Sequence, residues 1–95
     1  MNNNNITNKN YQFYDVARLR KVNFTQFINT RITIVGGKQR TLCPFHTENT
    51  ASFFIYPDNS YHCFACGAHG NAIDFVMKKL GYSFQEACSI LEGLV

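Results

Sequence analysis

The sequence predicts an α+β fold, in which two hairpins form a small antiparallel β-sheet pinned by one metal ion, with short helices flanking it on the N- and C-terminal sides. Three observations carry this expectation. Two short-spaced pairs of ligating residues stand sixteen residues apart, Cys43 and His46 as C-x2-H and Cys63 and Cys66 as C-x2-C. Alternating and aromatic runs bounded by turn residues lead into both pairs. After the second pair the apolar period changes from that of a strand to that of a helix.

In chain order, Met1 to Asn10 holds six asparagines and almost nothing apolar, and is read as a disordered tail over residues 1–10. Residues 11–95 are read as one domain. Tyr14 to Ile28 sets Val16, Leu19, Val22 or Asn23, and Phe27 at helical spacing, with Asp15 as cap and a break near Asn23 to Thr25. Arg31 to Leu42 alternates through Ile32 and Ile34, turns at Gly36-Gly37 and resumes through Lys38, Arg40 and Leu42, which makes a hairpin delivering the first ligand pair. Ser52 to Tyr56 and Tyr61 to Phe64, joined by Pro57-Asp58-Asn59-Ser60, make a second hairpin delivering the second pair. Asn71 and Asp74 stand as N-cap and N3 ahead of Ile73, Val76, Met77 and Leu80, with Gly81 closing that helix. Ser83 and Glu86 form an S-x-x-E capping box before a stripe of Phe84, Ala87, Cys88 and Leu91.

The ligand spacing points to zinc. Four borderline or soft donors on two tight turns can surround one ion tetrahedrally with little backbone strain, and a closed set of four leaves no open position for water, so the metal is structural. Alternatives stand beside this. Cys63 and Cys66 alone could be a redox dithiol or a disulfide. His62 and His69 compete with His46 for the fourth place, although strand alternation turns His62 away from the face of Cys63. Cys88, inside the second C-terminal helix, reads as a buried core thiol.

Composition narrows the function. The formal charge is +3 with thiols neutral; ionising three zinc-bound cysteines removes three and the ion restores two, leaving +2. That is mildly basic and compatible with weak attraction to nucleic acid. No apolar run reaches the length of a membrane span and no targeting segment stands out, so a cytoplasmic protein with reduced cysteines and no membrane partner is expected. The six acids are scattered or stand in caps and turns, without the carboxylate cluster that holds catalytic magnesium. No catalysis is expected from this chain alone.

A longer string surrounds the ligands: Leu42-Cys43-Pro44-Phe45-His46, then Thr50 and Ser52-Phe53, then Tyr61-His62-Cys63-Phe64-Ala65-Cys66-Gly67-Ala68-His69-Gly70-Asn71-Ala72-Ile73-Asp74-Phe75. It resembles the N-terminal zinc-binding domain, a zinc ribbon, of bacterial DnaG-type DNA primases, closely over residues 40 to 80. The resemblance implies Cys43, His46, Cys63 and Cys66 as ligands of one structural Zn2+. It implies a module that binds single-stranded DNA and supports template recognition and primer initiation in DNA replication, within a primosome. Lys38, Arg40, Tyr61, Phe64 and His69 are the expected nucleic-acid contacts; Phe45 and Phe53 match the same surface but alternation favours the core for both. Where many relatives read E-K-T-P-S-F, this chain reads Glu48-Asn49-Thr50-Ala51-Ser52-Phe53, losing a phosphate-binding lysine. Polymerisation would belong to a separate primase catalytic domain. The other reading is an adaptor docking on a replicative helicase, polymerase or primase catalytic subunit through the N-terminal helix, where Arg18, Arg20 and Lys21 cluster.

Overall fold

The computed structural model describes residues 13–95, so the expectation of a disordered tail over residues 1–10 lies outside the described residues. A one-turn helix, α1 (Val16–Leu19), opens the described chain, its N-terminus capped by the Asp15 carboxylate, which accepts from the Arg18 amide. The helix stops earlier than its apolar spacing suggests. Asn23 turns its side-chain oxygen onto the Thr25 amide at 2.8 Å and hydroxyl at 2.7 Å, a local bond that competes with helix continuation, and only a 3-10 turn at Thr25–Phe27 follows. Phe24, not Phe27, becomes the fully buried ring of this segment.

Five strands follow: β1 (Thr33–Val35), β2 (Lys38–Thr41), β3 (Phe53–Ile55), β4 (Tyr61–Cys63) and β5 (His69–Gly70). They form one antiparallel sheet in the order β1-β2-β3-β4-β5. The two expected hairpins are present, the first turning through Gly36 and Gly37 at φ 58° and 79°, the left-handed pair a two-residue hairpin demands. Two features go beyond the expectation. β2 pairs with β3, fusing the hairpins into one sheet, and β5 adds a fifth strand beside β4.

Two helices, α2 (Ala72–Leu80) and α3 (Phe84–Glu92), close the fold. Both begin with reciprocal capping boxes, Asn71 with Asp74 and Ser83 with Glu86, and α2 ends at Gly81 in the left-handed conformation. Ala87, Cys88 and Leu91 are buried as the stripe predicted, but Phe84 is 44% exposed. Helical side chains lean toward the N-terminus, so a ring at the first position of α3 overhangs the helix end. The last turn of α2 reaches back to the sheet: Lys79 Nζ donates to the Pro44 carbonyl at 2.9 Å and Lys78 Nζ to that of His69 at 3.3 Å.

One core joins these elements. Phe75 of α2 lies 4.3 Å from Phe24, 5.4 Å from Phe45 and 5.7 Å from Tyr61 between ring centroids, so the N-terminal segment, the first ligand turn, the sheet and α2 meet on a single ring. Arg18 pairs with Asp15 at 3.9 Å and Glu92 at 3.8 Å, which ties part of the N-terminal basic cluster to α3. Among the described residues no helix is long and apolar enough to cross a membrane.

Candidate metal centre and the outer face of the sheet

The ligand atoms of Cys43, His46, Cys63 and Cys66 all lie within 4.8 Å of one another. Cys43 stands in the turn after β2 and His46 three residues on; Cys63 ends β4 and Cys66 lies in the turn between β4 and β5. Each hairpin therefore brings one pair to the same end of the sheet. The Sγ atoms of Cys43 and Cys66 are 3.8 Å apart, close to the spacing of about 3.8 Å that two thiolates take on one tetrahedral zinc with bonds of about 2.3 Å.

The histidine is poised as a ligand. Its Nε2 lies 3.2 Å from Glu48 Oε1, and because a carboxylate only accepts, Nε2 carries the proton. Its Nδ1 is buried and has no hydrogen-bond partner, as befits a nitrogen whose lone pair is meant for a metal. His69, the rival, lies outside the cluster: its Nδ1–H donates to the Gly67 carbonyl at 3.0 Å, and the ring is exposed. His62 points to the other face of the sheet, as alternation required.

The thiols also call for a cation. Burial, with added repulsion from Cys63, pushes Cys43 up to about 12, whereas the Ala68 amide holds exposed Cys66 below its ordinary value. Three thiolates crowded this closely are stable together only around a positive charge, which bound zinc supplies. These residues fit one structural Zn2+, and four protein donors complete its shell. Glu48 belongs to this centre although its sequence position gave no hint of it. Burial would raise its carboxyl, but the Cys43 and Ser52 amides that donate to it outweigh that and hold it below the usual carboxylate range.

Strand register sorts the expected DNA contacts. Thr33, Arg40, Phe54, His62 and His69 are mutual partners across β1 to β5 and so form one row on one face. Lys38 and Tyr56, two residues along from Arg40 and Phe54, and Phe64, two residues past His62, share that face. Lys38 Nζ sits 5.8 Å from the Phe54 centroid and 5.9 Å from that of Tyr56, within cation–π range. Phe64 is 66% exposed and meets His62 at 4.5 Å and Phe54 at 5.5 Å. Arg40 Nε donates to the Ala51 carbonyl at 3.1 Å, which aims its guanidinium.

Lys38, Arg40, Phe64 and His69 therefore come together on the outer face. Tyr61 does not. It is 2% exposed, stacked on Phe53 at 5.2 Å within the core, and a ring enclosed in this way has no free face for a base, so the expectation for Tyr61 is corrected. The reason is phase: Tyr61 and Cys63 lie on the same side of β4, and Cys63 must face the metal. Phe54, Tyr56 and His62 are outer-face residues absent from the expected contacts; alternation from Cys63 already turns His62 to this face, whereas Phe54 and Tyr56 join it through the strand register. Phe53 is fully buried and Phe45 packs against the core.

A family model described as the CHC2 zinc finger matches residues 10–94. The DNA primase of Chlamydia pneumoniae is 56% identical over 57 residues, 59% of this chain and 10% of that protein. The DNA primase of Neisseria meningitidis serogroup A is 43% identical over 80 residues, 81% of this chain and 14% of that protein. A crystal structure of the Aquifex aeolicus primase, containing its zinc-binding and RNA polymerase domains, superimposes with a TM-score of 0.71 at 34% identity, covering 86% of this chain and 21% of that one. The chain thus spans a small fraction of the length of the primases that it matches.

Proposed function

This chain belongs to the CHC2 zinc-finger family, the zinc-binding domain of DNA primases, and we propose that its outer sheet face binds single-stranded DNA in support of template recognition and primer initiation. The observation that carries this reading is the composition of that face. Arg40, Phe54, His62 and His69 run in register across four strands, flanked by Lys38 and Phe64. Rings stack on bases without regard to sequence while cations hold phosphates, which is the pattern single-strand binders use. The zinc holds the two hairpins, and with them this face, in shape. RNA synthesis itself is assigned to a polymerase domain outside this chain, with which it would act.

Fluorescence anisotropy with labelled oligonucleotides at low salt tests the reading. Phe64→Ala should weaken binding by the worth of one stacked base, about 1–3 kcal/mol. Lys38→Ala with Arg40→Ala should weaken it for all sequences and flatten the salt dependence by about 1.4 in log–log slope, two single-strand phosphate contacts at about 0.7 each. Arg20→Ala, an exposed cation of the N-terminal segment, should change nothing. Absence of binding, or a loss with Arg20→Ala equal to that of the outer-face variants, would refute it; in the second case the N-terminal segment, and not the outer sheet face, carries the DNA contact.

A further inference from the structure

Glu48 is the one carboxylate among the described residues that reaches the ligand cluster, and both of its oxygens are committed. Oε1 accepts from His46 Nε2 at 3.2 Å; Oε2 accepts from the Cys43 amide at 2.8 Å and the Ser52 amide at 3.1 Å. Its side chain is 9% exposed. Asp58, Asp74 and Glu86 are spent on a turn and two helix caps, so no neighbour duplicates this arrangement.

We propose that Glu48 is the positioning residue of the zinc centre: its carboxylate sets His46 as the Nε2–H tautomer, leaving Nδ1 as the metal ligand, and locks both ligand turns to the sheet. The tautomer follows from the acceptor. A ring that donates through Nε2 has its free lone pair on Nδ1, the buried nitrogen that lacks any other partner. A carboxylate behind a ligating imidazole also makes it a stronger donor and fixes the ring plane. The second oxygen extends the control. Cys43 is itself a ligand, so one side chain orients two of the four. Ser52 leads into β3, and its carbonyl accepts from the Phe64 amide at 2.9 Å, next to Cys63. Through Ser52 the same carboxylate reaches the second ligand turn.

Long-range proton–nitrogen NMR of the zinc-loaded chain reads the tautomer directly, and competition with a coloured chelator reads zinc affinity; neither depends on DNA binding. The expected result is His46 bound through Nδ1 with a slowly exchanging Nε2–H. Glu48→Gln, which cannot accept from the imidazole and both amides at once, should lose about 10–100-fold in zinc affinity and exchange its Nε2–H faster. Glu86→Gln, at a helix cap, should match the unmodified chain. Ligation through Nε2, unchanged affinity in Glu48→Gln, or weakened affinity with an unaltered Nε2–H signal would each overturn the proposal. Should Glu48→Gln fail to fold with zinc present, the ligating nitrogen of the unmodified chain still decides.

Discussion

Tyr61 carries a hydroxyl that the core encloses without a hydrogen-bond partner, beside Phe24, Phe53 and Phe75. A buried unpaired hydroxyl costs its desolvation, so Tyr61→Phe should leave stability unchanged or raise it by about 1 kcal/mol in urea unfolding, and should leave DNA affinity as it was. A clear loss of DNA affinity would return Tyr61 to the binding face. Its titration follows from the same burial, reinforced by the nearby Asp74 and Cys43, which raises the phenol well above its ordinary value. A folded-state value above the unfolded one means stability intact below about pH 10 and falling above it. Tyrosinate absorbance should therefore show one of the five tyrosines ionising only as the fold is lost. Ligands, by contrast with Tyr61, were legible as residues: cysteine and histidine at fixed short spacings declare their chemistry locally. An aromatic ring declares only that it is apolar and flat, a quality useful in a core and on a binding face alike.

Among the elements, the junction of β5 and α2 is the least forgiving. Gly70 has φ 155°, and a Cβ there would stand 2.6 Å from Asp74 Oδ2, the oxygen that accepts from the Asn71 amide in the capping box of α2. Gly70→Ala should therefore strain the backbone and break the cap together, costing about 1–3 kcal/mol for the strain and about 1 kcal/mol for the cap. Gly36→Asn is the matched comparison: its φ is also positive but its surroundings are open, and asparagine tolerates that conformation, so its midpoint in denaturant should barely move. Equal losses in the two variants would disprove the clash. The helices were legible from sequence because a capping box and an apolar stripe are i, i+3 and i, i+4 relations. Two-residue β5 was not, since His69 and Gly70 become a strand only by pairing with His62 and Tyr61.

At the scale of the molecule, zinc and core are one system. Phe45, inside the first ligand turn, packs on Phe75, so losing the ion frees a ring from the core as well as four ligands. Structural zinc in finger peptides contributes about 10–16 kcal/mol of apparent binding energy at neutral pH, against a total stability of about 5–15 kcal/mol for a typical domain. Chelation should thus abolish the near-ultraviolet circular dichroism and the DNA binding together, and added Zn2+ should restore both. A chelated chain that still unfolds cooperatively near its original midpoint would show that the core suffices alone.

The three cysteine ligands, the candidate histidines, the two hairpins, both capping boxes and the primase-like string are legible in residues close together along the chain, while the choice of His46 over His69 is made by the fold. The fusion of the hairpins through β2 and β3, the outward turn of Phe54 beside Arg40, and the reach of Glu48 to His46 and the Cys43 amide emerge from the folded chain alone. Those depend on register and on backbone amides meeting across turns. A side chain in a strand has two faces available, and which one is wet is settled by pairing partners that the local sequence does not contain.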